Sequence, residues 1–143
     1  MNSYQELKKK HQKEFNLFPI FFAFSNEQFD EGMRNLGLEP NDTNAIYRLG
    51  DTGGFYRKTD RLAFSEMRNR HDAEMKAAID ADTTGEGFIF DMFDYELSNH
   101  EYCYTGDLTD TLQALDLTKD DINASAKLKH GLQKAIKNQF NKC

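Results

Sequence analysis

The stretch Pro19-Ile20-Phe21-Phe22-Ala23-Phe24 decides the class of this chain. It is short and rich in aromatic and β-branched side chains, which marks a buried strand rather than a helix. Ser25 follows, with Gln28 three residues on. That is a capping-box signal for a helix whose apolar stripe is Phe29, Met33 and Leu36, stopped at Gly37. Further on, Ala45 to Leu49 and Phe55 to Lys58 flank Gly50-Asp51-Thr52-Gly53-Gly54, a hairpin signal in which glycines supply positive φ.

Outward from these strands the helical period takes over. Tyr4, Leu7, His11 and Phe15 recur at three- and four-residue spacing and predict a helix over 3–15. Thr59 or Asp60 is expected to cap a helix reaching about Ala81, with Leu62, Met67, His71, Met75 and Ile79 on one side. After the break at Thr84-Gly85-Glu86-Gly87, a helix is predicted from Phe88 to His100. Shorter ones follow, from Asp107 capped by Thr105 and from Lys119 capped by Thr118. Leu128, Leu132, Ile136 and Phe140 define the last helix, which Gly131 weakens. The expected fold class is α+β: a small antiparallel sheet of about three strands covered by five or six helices, with the C-terminal half all helical.

At 143 residues, 38% hydrophobic and 29% charged, the chain supplies one modest core, so a single domain over 1–143 is expected. The longest apolar run, Phe18 to Phe24, is far short of a membrane span. No hydrophobic leader core stands in the first 15 residues, which leads to the expectation of a cytoplasmic protein. Cys103 and Cys143, one between two tyrosines and one at the last position, are poor material for a disulfide framework.

The net charge of −6 is unevenly spread. Residues 1–79 balance, 80–121 carry 12 acidic side chains against Lys119 alone, and 122–143 carry five lysines and no acid. So acidic a block repels nucleic acid and attracts basic partners or cations. The lysine-rich end either lies against it or forms a separate surface. The basic clusters Lys8-Lys9-Lys10-Lys13 and Arg57, Lys58, Arg61, Arg68 and Arg70 are local in an acidic chain. Direct nucleic-acid binding is therefore not expected.

Two constellations in the block suggest chemistry. Asp80, Asp82, Thr84, Gly85 and Asp91 occupy the first, third, fifth, sixth and twelfth positions of a calcium-loop pattern. Gly87 at the eighth, Phe90 at the eleventh and a short aspartate at the twelfth speak against it. Asp91, Asp94, Glu96 and His100 share one helical stretch, with Glu96 and His100 four apart on a face; such a pair can hold a divalent metal or work in acid–base chemistry. Cys103 lies beside Glu101, which raises rather than lowers a thiol pKa. No nucleophile-elbow, zinc-protease or phosphate-loop motif is present, and no cofactor is called for.

The string Phe18 to Phe29, the Gly85-Glu86-Gly87-Phe88 corner, and Asn99 to Tyr102 with Tyr104 to Leu108 resemble a group of small, acidic, uncharacterised proteins encoded by bacteriophages, prophages and mobile elements of gut-associated bacteria. The resemblance covers most of the chain. It implies a bacterial cytoplasmic setting and an accessory or counter-defence role, and it carries over no functional residue.

The expected function is a non-enzymatic interaction protein that docks an acidic face onto a host or phage protein with a basic surface. The model for it is an inhibitor of a nucleic-acid-binding defence enzyme that presents carboxylates where phosphates would lie, as anti-CRISPR proteins do. Asp94, Glu101, Asp107, Asp110 and Asp116 are the expected acids, with Tyr95, Tyr102 and Tyr104 as anchors. The alternative is a metal-dependent enzyme or metal-binding protein using the 80–101 region.

Overall fold

The computed structural model describes residues 1–143 and divides them into two compact units, His11–Asp72 and Met1–Lys10 with Ala73–Cys143. Two long helices, α1 (Ser3–Leu17) and α3 (Arg61–Ala81), contribute residues to both.

The His11–Asp72 unit is built on a three-stranded antiparallel sheet in the order β1-β3-β2, from β1 (Ile20–Phe22), β2 (Ile46–Leu49) and β3 (Gly54–Arg57). Gly50 and Gly53 take φ +54° and +81° in the hairpin turn, as the glycine spacing predicts. The period-two alternation of strands sends side chains to opposite faces. On one face Phe21 and Phe55 stack with ring centroids 5.3 Å apart, and both meet Phe29 of α2 (Asn26–Asn35). Gly32 lets α2 lie directly on Phe21, because a Cβ there would fall inside that ring. On the other face Tyr47 is paired across the strands with Tyr56, which packs 4.8 Å from Phe64 of α3. Ser25 caps α2 as expected, its hydroxyl accepting from the Gln28 amide.

The other unit is all helix, centred on α4 (Phe88–Asn99). Ile89, Met92, Phe93 and Leu97 of α4 are essentially unexposed and pack with Tyr4, Leu112, Ile122 and Leu132. Around them stand α5 (Tyr102–Thr105), α6 (Thr109–Ala114), α7 (Lys119–Asn123) and α8 (Ala126–Lys142). The α+β reading therefore holds, with a three-stranded sheet and a helical C-terminal half.

Several local expectations are corrected. Lys58–Asp60 forms a 3-10 turn ahead of α3, in which Asp60 is held by Arg57 rather than capping the helix. Leu62 is 71% exposed, and Phe64 and Met67 are the buried side chains of α3. Asp107, not Thr105, closes the start of α6, its carboxylate accepting from the Thr109 amide and hydroxyl. Cys103 and Cys143 form a disulfide with Cα atoms 6.0 Å apart, a normal spacing. The sequence hid it because the pair is 40 residues apart and meets only where the end of α8 returns to α5, beside the Tyr102–Phe140 ring contact.

Gly131 marks close packing rather than a weak helix. A Cβ at this position would stand 2.5 Å from Ile89 Cγ2 and 2.6 Å from the Gly85 carbonyl oxygen. In an open helix Gly→Ala stabilises by about 1 kcal/mol. Here overpacking against backbone, which costs about 1–3 kcal/mol, opposes that gain. Gly131→Ala is expected to destabilise the protein by about 1–2 kcal/mol, read as a lower urea midpoint at unchanged slope.

Candidate functional site

The 12 acids of residues 80–121 fall into two populations in the structure. The first holds the fold. Asp82 accepts from the backbone amides of Thr84, Gly85, Gly87 and Ile89 at 2.9–3.2 Å, closing the corner that opens α4. Its partial burial opposes ionisation, and these four bonds outweigh that and hold its pKa below the ordinary carboxylate range. Asp91 accepts from the Ser3 amide and hydroxyl, so it caps α1. Asp94 accepts from Asn138 and Gln139 of α8 at 2.7 Å each.

The calcium-loop pattern therefore meets other uses. Asp82 and Asp91 are committed as caps to different helices, and Asp80 and Thr84 are exposed. No group of three or more His, Cys, Asp or Glu residues is gathered in a way that could hold a metal ion.

Glu96 has no exposed surface. Its Oε1 accepts from the Tyr4 hydroxyl at 2.8 Å and from Lys8 Nζ at 2.9 Å, and its Oε2 faces His100 Nε2 at 3.2 Å. Tyr4 and Lys8 are four apart on α1, and Glu96 and His100 are four apart on α4, so two helix faces meet over one carboxylate. The His100 half of this network was legible in the sequence. The Tyr4 and Lys8 half was not, since nothing local pairs residues some ninety positions apart. Burial pushes the Glu96 pKa up, but Lys8, Tyr4 and His100 together hold it below the ordinary value. Burial first, then the neighbouring carboxylate, raises that of Tyr4 well above the tyrosine range.

Three lysines of the basic end lie against the acidic block. Lys127 Nζ donates to the carbonyls of Ile79, Asp80 and Asp82 and so satisfies the C-terminal turn of α3. Lys134 pairs with Glu86, which lowers that carboxyl's pKa, and Lys142 lies 3.9 Å from Asp94.

The second population is exposed and unpaired. Glu101, Asp107, Asp110, Asp116, Asp120 and Asp121 lie on α5–α7 and their corners, with no salt bridge among them. Asp107 and Asp121 cap their own helices, and Glu101 and Asp116 take left-handed backbone at φ +54°. Tyr104 is 86% exposed beside them. Tyr102 is a core residue packed on Phe140, and Tyr95 rests on Tyr4, so neither ring is offered as an anchor. Leu108, Leu112, Ile122 and Ile136 line an apolar groove of about 230 Å³ between α6, α7 and α8, the first two of which carry Asp110, Asp120 and Asp121.

The network around Glu96 makes stability depend on pH. A carboxyl whose folded pKa is lowered contributes stability at neutral pH that is lost as pH falls through the folded value. The raised Tyr4 contributes stability that is complete below its ordinary value of about 10 and lost as pH rises above it. Glu96→Gln, which keeps the shape but removes the charge, is expected to cost about 1–3 kcal/mol at pH 7. The gap between wild type and variant should narrow at pH 3, as read by thermal unfolding at both pH values.

No helix is long and apolar enough to cross a membrane. No curated protein and no solved structure matches the chain. A family model described as a family of unknown function, DUF7659, matches residues 3–138, nearly the whole length, and the chain belongs to that family.

Proposed function

We propose that this protein is a non-enzymatic docking module whose unpaired acids on α5–α7 engage the basic surface of a protein partner. The observation that carries this reading is the separation of the acidic block. Asp82, Asp91, Asp94 and Glu96 are consumed by caps and buried bonds, whereas Glu101, Asp110, Asp116 and Asp120 are held at the surface with no cation from their own chain. Beside them the Leu108–Leu112–Ile122 groove supplies apolar area for the centre of a contact, with Tyr104 as the exposed ring. A nucleic-acid-binding defence enzyme of a bacterial host is a partner class with a basic cleft of this kind, and phage-encoded inhibition is the setting that the sequence resemblance suggests. The metal or acid–base reading draws less support, because Glu96, its central carboxylate, has no exposed surface with which to meet a substrate.

The test compares two charge reversals of equal size. Asp110 and Asp120 are exposed and make no side-chain bond that the fold uses. Asp110→Lys with Asp120→Lys is expected to lower capture of a basic partner from bacterial lysate at least tenfold, with helix content unchanged. Glu6→Lys with Glu39→Lys should change it less than twofold. Capture should weaken steeply between 50 and 300 mM salt, since exposed charges are screened over about 8 Å at physiological ionic strength. Duplex DNA should compete if the partner's basic surface is a nucleic-acid cleft. Equal losses in the two variants would leave net charge as the only cause, and no loss in either would remove the acidic face as the interface.

A further inference from the structure

Within residues 11–72 the cations are not all accounted for by acids. Arg57 is held by Asp60 and by the Leu36 carbonyl, and Arg70 pairs with Glu14. Arg48, Arg61 and Arg68 have no carboxylate within salt-bridge distance, and all three line one open cleft of about 560 Å³ between the Tyr47/Tyr56 side of the sheet and α3. That volume falls in the range of small-molecule sites, about 300–1,000 Å³.

The helical period builds the cleft's floor. Arg61, Ser65, Arg68 and Asp72 recur at four-, three- and four-residue intervals and so share a face of α3. Arg61 and Arg68 are two turns apart, about 10.5 Å along the axis. Arg48 of the edge strand β2 borders the cleft but is paired with Phe55 and so belongs to the other face of the sheet. Arg61 and Arg68, the latter lying 5.6 Å over the Phe64 ring, have no carboxylate partner, and an anion between them supplies the missing charge. The forked donors of arginine match phosphate oxygens, and the first turn of α3, which contains Arg61, adds its own partial positive charge. The far end of the face differs. Asp72 repels phosphate there and can accept from an amine or a sugar hydroxyl.

The wall is aromatic. Tyr47 is 37% exposed on the edge strand and leans on Tyr56, with ring centroids 5.9 Å apart, while Tyr56 is itself backed by Phe64. A partly exposed ring with a rigid aromatic backing beside arginines is the combination that holds a planar base through stacking and its phosphates through charge.

We propose that this cleft binds a nucleoside phosphate: the phosphates at Arg61 and Arg68, the base against Tyr47, and Asp72 setting the direction. The ligand chemistry is shared by a free nucleotide and by one nucleotide of a single strand. The site is separate from the acidic face and does not depend on it.

The experiment is calorimetric titration of the full chain at 50 mM salt with ATP, with inorganic tripolyphosphate and with an octathymidylate. ATP is expected to bind at one site. Arg61→Ala with Arg68→Ala should weaken it at least tenfold with unchanged circular dichroism, whereas Arg34→Ala, exposed on α2, should not. Tyr47→Ala should weaken ATP at least threefold and leave tripolyphosphate unaffected, with Tyr47→Phe restoring the loss. Octathymidylate binding more tightly than ATP, with the same residue dependence, would identify the strand as the source and uphold the proposal. Tripolyphosphate binding as tightly as ATP, with no effect of Tyr47→Ala, would reduce the cleft to a polyanion patch and overturn it. No binding of ATP at millimolar concentration, or binding indifferent to Arg61 and Arg68, would overturn it as well.

Discussion

The burial of Glu96 is the constraint on which the helical unit depends. A carboxylate taken wholly out of water is costly unless its lone pairs are filled. Here Tyr4 and Lys8, some ninety residues earlier, donate to Oε1, while Oε2 has no hydrogen bond and only faces the His100 ring. Charge and hydrogen bonding thus dock residues 3–10 onto α4, and the ring of Tyr4 then joins the Ile89–Phe93–Leu97 core while Ser3 takes its cap from Asp91. An apolar residue at position 96 would bury as readily, but it would not specify which turn of α1 lies against α4.

The same economy runs through the acidic block. Its carboxylates meet backbone amides at helix starts, where negative charge is favoured, and Lys127 of α8 meets the carbonyls ending α3. Asp80 apart, what remains after these uses lies on α5–α7 and their corners, and the docking proposal rests on that remainder rather than on the net charge. In the sheet unit Arg61 and Arg68 gather at one cleft although the unit as a whole carries more acids than bases, a local excess that total composition conceals.

How much of this was legible in the sequence follows from the range of each interaction. The glycine hairpin, the Ser25 cap and the Thr118 cap are set by residues within a few positions of one another, and each lies where its pattern predicts. The expected buried strand is corrected: β1 covers only Ile20–Phe22, and Phe22 and Phe24 are exposed, because local composition marks a strand but not what covers it. The role of Gly131 was unreadable because its reason, the Gly85 carbonyl, is supplied by another segment. Leu62 was misassigned because a long helix whose two halves belong to different units has no single apolar stripe. Among the expected acids, spacing alone could not separate Asp94, bound by α8, from Asp110, bound by nothing. The Arg61–Arg68 spacing was visible, but Tyr47 reaches the cleft only through strand pairing.

The order in which the chain is made acquires meaning from the division into units. Residues 11–72 are contiguous and emerge from the ribosome ahead of α4, so the sheet unit can close early. The helical unit is discontinuous: Tyr4 and Lys8 are synthesised first and find Glu96 only when the last third of the chain appears. At about 5–20 residues per second, the synthesis of the stretch from Lys8 to Glu96 takes roughly 4 to 18 s. Through that time the first turns of α1 carry Tyr4 without the α4 core that covers it. The helical unit is therefore the second of the two to form, although one of its helices is made before the sheet.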